Sequence, residues 1–409
     1  MTGLKKKWAF LGVKPHIGGT WTVFENLRTG LSLQGIELRW VVAGKINASV
    51  LQESDWTAQC EWGEVVAPDE AEDSLVAVRL KGHLVANYDG CIVNVLCDRL
   101  CTNLMRYLEP SFPRIMMVHN TTIGTYVAAS SIRDYVHETV GVSKRIVEDL
   151  IRGYKFNKIN TRYIPNAVQV TEFDVDRVTS CSLLNILVLS RIEDQSKGCF
   201  HVPEILKKIG EYGIPYHCTI VGDGPDLEEL KKRCETLEVS FLGRVPRGKV
   251  PNLVAKNDVY LFPSIYEGFG LSLVEAMAGG CVPVSSRLVG VTDGIVVDGE
   301  SGFLLKPGDV NGFANALMKI YLQPDLHSFL SNNARERAER TFSINSISTK
   351  FAELIHYSEC SSFKVGGKIK ACEKWRYPRG LRRGLRTFLP DYLKKILRNV
   401  REKVRQERC

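Results

Sequence analysis

Residues 264–286 read SIYEGFGLSLVEAMAGGCVPVSS. Two glutamates, Glu267 and Glu275, stand eight positions apart, and Gly268-Phe269-Gly270 follows the first. The run is bracketed by DVYLFPS (258–264) and CVPVSS (281–286), short apolar stretches of the kind that form buried strands. Between them, SLVEAMA reads as a short helix that stops at Gly279 and Gly280. Strand, glycine-containing loop, helix and strand make a βαβ unit. Ser272 and Glu275 also match a capping box. A cap explains those two residues but leaves Glu267 and the glycines without a role.

The same alternation runs outward in both directions. WAFLGV, ELRWVVAG, CIVNVL and RIMMVHN read as strands in the first half. LNILVLSR, YHCTIVGDG and VSFLGRV join the two already quoted in the second. Near-continuous apolar runs suit parallel strands covered on both faces, and amphipathic stretches such as SKRIVEDLIRGY and DLEELKKRCETL supply the helices. The fold class is therefore α/β with open parallel sheets.

At 409 residues the chain is longer than one core usually grows. A seam falls in PNAVQVTEFDVDRVTSCSL (165–183), which lacks periodicity. The expected organisation is a first Rossmann-like domain over 1–170, a linker over 171–182 and a second Rossmann-like domain over 183–345. A terminal helix over 346–363, returning to the first domain, and a basic tail over 364–409 complete it. Two such domains facing one another would make a ligand cleft.

The charge is uneven. Residues 364–409 hold 16 Lys and Arg against 4 Asp and Glu, a net of +12 in a chain of net +8, which leaves −4 on the rest. In DYLKKILRNVREKV, Tyr392, Leu393, Ile396, Leu397, Val400 and Val404 share one helical face. Such a basic amphipathic helix suits an anionic membrane surface, while docking on the protein body and nucleic-acid binding are its alternatives. No apolar run approaches the ~20 residues of a membrane span. The apolar run at the N-terminus ends at Lys14 and Pro15, too early for an export signal. The twelve cysteines show no C-x-x-C pair and several sit in strand-like runs, so they read as reduced thiols of a cytoplasmic protein.

In an open parallel sheet, ligands bind beyond the carboxyl ends of strands. Gly18 and Gly19 follow the first strand and precede a helical run, a place where backbone N–H groups can meet an anion or where Thr20 simply caps the helix. Arg191 and Lys197 follow LNILVLS, and two long cations there suit a diphosphate, or else pair with Glu193 and Asp194. Gly268 and Gly270 free the loop backbone to meet phosphate oxygens.

With these residues in place, the sequence resembles the retaining glycosyltransferases of family 4, which have the two-domain GT-B fold. The matching run is EGFGLSLVEAMA followed by Gly and Pro-Val. The Gly-Gly loop, VHN (118–120), IPNAV (164–168), VLSRIEDQSKG, IVGDGPDLEELKK, FLGRV and DGESGFLLKPGD extend the likeness to about residue 360.

The resemblance implies a site. Arg191 and Lys197 would hold the donor's diphosphate, and Glu275 would accept hydrogen bonds from ribose hydroxyls. Glu267, with Gly268, Phe269, Gly270 and Leu271, would hold the transferred sugar and the distal phosphate. Gly18 and Gly19 would approach that phosphate, His119 would lie near sugar and acceptor, and Arg244 and Val245 would meet the base. Glu267, His119, Arg191 and Lys197 are the implied catalytic set. No metal and no cofactor are implied. Asp174-Val-Asp176 matches a metal-binding D-x-D but falls in the expected linker.

The implied partners are a nucleotide-sugar donor and a lipid-linked, glycan or small-molecule acceptor. An anionic membrane surface at the cytoplasmic face is a further one, and nucleic acid is not among them. The chain departs from the family at Ala167 and Gln169, where Gly and Asp are frequent, and at Asp293, where Glu is.

Four other readings compete. Gly222-Asp-Gly224 is a partial dinucleotide fingerprint whose third glycine is replaced by Leu227. Glu267 and Glu275 alone fit a glycosidase pair, a reading that leaves Arg191 and Lys197 unused. A nucleotide-sugar isomerase or epimerase shares the donor site, as does a non-catalytic nucleotide-sugar-binding protein.

Overall fold

The computed structural model describes residues 6–12, 19–45, 61–95, 98–177, 182–360, 365–367 and 371–382. The chain divides into two compact units: Met1–Ala167 with Ile344–Thr387, and Val168–Ser343.

In the first unit, β1 (Lys6–Leu11), β2 (Ile36–Ala43), β3 (Gly63–Val66), β4 (Gly90–Asn94), β5 (Arg114–Val118), β6 (Glu138–Gly141) and β7 (Thr161–Tyr163) form a sheet in the order β3-β2-β1-β4-β5-β6-β7. Every pairing is parallel. β1, β2, β4 and β5 are largely buried on both faces, which is why they read as continuous apolar runs. Phe10, Trp21, Phe24 and Trp40 stack with ring centroids 5.1–5.5 Å apart and weld the helix Gly19–Leu33 to the sheet. Gly30 of that helix lies against Ile344 and Ser348 of the helix Ile344–Cys360.

In the second unit, β8 (Leu184–Leu189), β9 (Tyr216–Val221), β10 (Val239–Gly243), β11 (Val259–Phe262), β12 (Val282–Ser286) and β13 (Phe303–Leu305) form the parallel sheet β10-β9-β8-β11-β12-β13. Ile186, Val188, Ile220, Leu261 and Val284 face helices over 201–211 and 310–322 in its core. The strand order reverses between β8 and β11, so the crossovers on either side run in opposite directions and leave a crevice at the carboxyl ends of these two strands.

Within the stretch read as a linker, Val170–Phe173 forms a turn, with Phe173 buried beside Gly279. Val168 pairs with Ser343, and its N–H donates to Phe342 O at 2.8 Å, so the two points where the chain enters and leaves this unit are adjacent.

Part of the basic tail is described. Trp375 packs on Tyr107 with centroids 4.5 Å apart, Arg376 N–H donates to the Tyr107 hydroxyl at 2.9 Å, and Tyr377 donates to Asp73 at 2.6 Å. This segment lies on the body of the first unit. The amphipathic stretch 391–404 lies outside the described residues. Among the described residues no helix is long and apolar enough to cross a membrane.

Candidate nucleotide-sugar site

The crevice of the second unit carries the quoted loop. After β11, residues 263–270 lead into the helix Leu271–Ala278. Gly270 occupies its N-cap with φ 109°, a left-handed conformation that an L side chain would strain. Ser272 is therefore inside the helix, and the capping-box reading fails. Tyr260 donates its one proton to the Leu189 carbonyl at 2.8 Å, so the Ser272 hydroxyl must donate to the Tyr260 oxygen, also at 2.8 Å. Ser272 thus pins the helix to β11 and β8. Glu275 is left without the capping role.

After β8, Arg191 leads into the single turn Asp194–Lys197. Lys197 Nζ donates to Glu267 Oε1 at 2.5 Å, and Ser264 Oγ donates to the same oxygen at 2.9 Å. The Ser196 carbonyl accepts from both Ile265 N–H and Tyr266 N–H, at 2.9 and 3.0 Å. The Lys197 turn and the Glu267 loop are thereby tied together by backbone as well as by charge. The pair is only partly exposed, at 24% and 10% of the side chains, so its attraction is less screened than on an open surface. Arg191 is not drawn into this pair. Its side chain is 67% exposed and approaches Glu193 at 3.8 Å, the local pairing that was the alternative reading.

The glycines of Gly222-Asp-Gly224 serve this loop. A Cβ at Gly222 would fall 1.8 Å from Ser190 O, and one at Gly224 would fall 2.1 Å from Ile192 O. Asp226 accepts from Asp194 N–H at 2.7 Å and Ile192 N–H donates to Asp223 O at 2.9 Å. The partial fingerprint is a strap that holds residues 190–194 in place, so it carries no argument for a dinucleotide.

Glu275 lies 13% exposed, in the second turn of its helix. Burial raises its pKa, opposed by Arg247, whose Nη2 lies 3.9 Å away; Glu172 raises it further. Arg247 was missed in the sequence; it follows β10 three residues beyond Arg244. Arg244 itself is exposed and Val245 half-buried. Phe269 is buried and meets Phe342 edge-on at 6.0 Å, Gly268 is buried, and Leu271 opens the helix half-buried.

The first unit holds the remaining candidates. Gly18 lies outside the described residues, while Gly19 opens the helix Gly19–Leu33, so Thr20 is helical instead of capping. His119 follows β5, and its Nε2 lies 2.8 Å from Asn94 Oδ1. Asn94 Nδ2 donates to Leu11 O at 3.2 Å, which fixes the amide's orientation, so His119 Nε2 must carry the hydrogen. Burial lowers the His119 pKa to about 4. The ring is neutral at neutral pH and its Nδ1 lone pair is an acceptor. Asp174, of the D-x-D match, is exposed and pairs with Arg335 at 3.1 Å.

A cation–carboxylate pair, a second, largely buried carboxylate and a helix N-terminus lie together at the switch point of a parallel sheet, an arrangement chemically suited to a phosphorylated, hydroxyl-rich ligand. Residues 184–337 match the family described as glycosyl transferases group 1. It is similar to the phosphatidyl-myo-inositol mannosyltransferase of Mycolicibacterium smegmatis, 30% identical over 222 residues that cover 51% of this chain and 55% of that protein. The sulfoquinovosyl transferase of Arabidopsis thaliana is 31% identical over 139 residues, 34% of this chain and 27% of the relative. The matches thus span from about a quarter to just over half the length of these curated relatives.

Among solved structures, Anabaena HepE in complex with UDP and glucose superposes with a TM-score of 0.69 at 17% identity, covering 86% of this chain and 99% of that one. A glycosyltransferase from Rickettsia africae gives 0.71 at 16%, covering 88% and 100%. The fold is GT-B.

Proposed function

We propose that the protein transfers a sugar from a nucleotide-sugar donor to an acceptor with retention of anomeric configuration, in the synthesis of a cell-envelope polysaccharide or glycolipid. The observation that carries this reading is the Lys197–Glu267 pair at the switch point, with Glu275 one helix turn beyond it. Lys197 and Arg191 supply positive charge for a departing diphosphate, and the N-terminus of Leu271–Ala278 adds to it. With that charge supplied by side chains, the reading calls for no metal and no cofactor.

Glu267, occupied by Lys197 and Ser264, is an acceptor for sugar hydroxyls. Glu275 is the acceptor for ribose; in the first unit, the neutral His119 offers Nδ1 as an acceptor to a hydroxyl. In the transfer the bond from the anomeric carbon to the phosphate oxygen breaks, and the acceptor oxygen bonds that carbon on the same face. The acceptor's proton ends on the diphosphate. The relatives' names include transfer to phosphatidyl-myo-inositol and to a diphosphoundecaprenol-linked sugar, which supports a lipid-linked acceptor.

Glu267→Ala tests the reading. Transfer should fall at least ~100-fold while nucleotide binding persists, and NMR of the product should show the donor's anomeric configuration. Sugar rearrangement without an acceptor would identify an isomerase or epimerase instead. Nucleotide binding with no turnover of any kind would identify a non-catalytic binding protein.

One surface favours action at a membrane. On the helix Asp73–Asn87, Leu75, Val78 and Val85 are about half exposed on the face opposite buried Val76, Ala77, Leu80 and Leu84. A helix apolar on both faces calls for a cover on the outer one. Exposed Arg79, Lys374, Arg376, Arg379 and Arg382 lie on the same unit, a composition suited to anionic lipid at the cytoplasmic face. Charge reversal at Arg79 together with Leu75→Ser and Val78→Ser should abolish co-sedimentation with anionic liposomes. Unchanged sedimentation would remove the membrane from the account.

A further inference from the structure

We propose that Arg247 is a positioning residue for Glu275: its guanidinium holds the Glu275 carboxylate as a two-oxygen acceptor for vicinal ribose hydroxyls, and so sets a preference for ribo- over 2′-deoxyribonucleotides. The inference rests on the donor-site reading above and adds to it a residue that lies outside the quoted motif.

The geometry is specific. Arg247 sits in the 3-10 turn Arg247–Lys249 that follows β10 and leads into the helix Val250–Ala255. Its Nη2 lies 3.9 Å from Glu275 Oε1 and 4.0 Å from Glu172 Oε2. One guanidinium nitrogen is therefore shared between a carboxylate of the crevice and a carboxylate of the turn Val170–Phe173, just past the point where the chain enters this unit. Among the described residues no hydrogen bond reaches the Glu275 carboxylate, and Arg247 is its ion partner. Both oxygens remain available to a ligand.

The other charged groups on the elements packed against this helix are committed elsewhere. Arg335, on the helix Pro324–Phe342, pairs with Asp174, and Arg337 on the same helix donates to the carbonyls of Gly294 and Ile295. Arg177 donates to the carbonyls of Gly279 and Asn257. On β11, Tyr260 is buried, held neutral and bonded to Leu189 and Ser272. Burial disfavours the charged carboxylate and Glu172 adds repulsion, so Arg247 is the group that opposes both.

The chemistry links charge to specificity. An ionised carboxylate accepts one hydrogen bond on each oxygen, which matches two vicinal hydroxyls. Once protonated, the carboxyl makes only neutral hydrogen bonds to a diol, so the gain from the second hydroxyl shrinks. A 2′-deoxyribonucleotide offers a single hydroxyl and gains little from the second oxygen. Ionisation of Glu275 thus sharpens the distinction between the two sugars, and Arg247, 3.9 Å away, favours the ionised form.

The test is calorimetric binding of UDP and 2′-deoxy-UDP, with GDP and 2′-deoxy-GDP in parallel, across pH for wild type, Arg247→Gln, Arg247→Lys and Glu172→Gln. In wild type the ribonucleotide should bind about 10-fold or more tightly than its deoxy counterpart at neutral pH, the loss expected when a site built for a hydroxyl meets a ligand without it. Arg247→Gln should reduce that ratio and move its loss on acidification to higher pH, and raising the pH should recover it. Arg247→Lys should keep it. Glu172→Gln should move the acid limit of ribonucleotide binding to lower pH, opposite in direction to Arg247→Gln.

A uniform loss of affinity at every pH with the ribo/deoxy ratio intact would overturn the proposal and leave Arg247 a plain ligand contact. The same shift direction in Arg247→Gln and Glu172→Gln would overturn it also. Failure of the donor-site reading looks different: wild type itself would bind none of the nucleotides, and the proposal would fall with it.

Discussion

Lys197 Nζ donates to Glu267 Oε1 at 2.5 Å, joining the turn after β8 to the loop after β11. The two strands are neighbours in the sheet but lie far apart in sequence, so the contact exists only because the crossovers reverse between them. Breaking the pair from either side leaves a partly buried charge without its partner, which costs more than the pair itself contributes.

Lys197→Ala should therefore lower both stability and transfer. We expect a stability loss of about 1–3 kcal/mol in chemical denaturation and at least a ~100-fold drop in kcat/KM. Lys197→Arg keeps the charge and should recover most of the stability but little of the rate, because the guanidinium fork does not fit a single-point contact. Full activity in Lys197→Ala would remove the pair from the chemistry.

Gly222 holds the Arg191–Lys197 segment by close backbone approach. Its φ of 137° and the 1.8 Å that a Cβ would leave to Ser190 O make Gly222→Ala unfavourable on two counts. The expected cost is roughly 2–4 kcal/mol, and nucleotide affinity should fall with it because residues 190–194 must shift. A variant as stable as wild type would show that the strap yields without strain.

Acid should weaken the first unit through two histidines. Burial, helped by Arg114, lowers the His137 pKa to about 4, and burial alone does the same at His119. His137 Nδ1 accepts from Arg114 N–H at 3.2 Å and its Nε2–H donates to Pro110 O at 3.1 Å, contacts that require the neutral ring. An unfolded histidine titrates near ~6.5, so below that pH the unfolded chain takes up a proton that the folded chain refuses. Stability is then lost as pH falls from ~6.5 towards 4, by up to ~3 kcal/mol per histidine.

The buried carboxylates Glu275 and Glu138 act in the opposite sense. Their pKa values are raised, chiefly by burial, so the folded chain takes up their protons first and gains as pH falls through them. Denaturation curves at neutral and mildly acidic pH check the balance. His137→Gln should flatten the slope, and an unchanged slope would shift the cause elsewhere.

Most of this architecture was readable before the structure, for physical reasons that also explain the gaps. Nine strands announced themselves because their runs are apolar, and all but the edge strand β10, whose residues are half-buried or exposed, are largely buried. β3, β7 and β13 escaped because GEVV, TRY and FLL are short and sit at sheet edges. β6 escaped for another reason: ETVG carries Glu138, fully buried in the sheet and paired with Arg162 at 2.8 Å.

Within the site, the Glu267–Glu275 spacing was informative because loop and helix are contiguous in sequence. The cap was misplaced because Ser272 and Glu275 have the spacing of a capping box, whereas the N-cap is Gly270 and the partner of Ser272 is Tyr260 on β11. Arg247 was illegible because its meaning depends on a turn more than seventy residues away, at Glu172. The basic run RVPRGKV offered several cations and no local reason to choose among them.

The central claim is that the switch-point crevice binds a nucleotide through Glu275. Thermal unfolding of wild type and Glu275→Ala with UDP, GDP and ADP tests it most directly. A ligand at a hundred times its Kd stabilises by ~2.7 kcal/mol, which for a unit of this size raises the midpoint by roughly 5–10 °C. The account requires one of these nucleotides to shift the wild type and to leave the variant nearly unmoved. No shift with any of them, or equal shifts in both proteins, would contradict it.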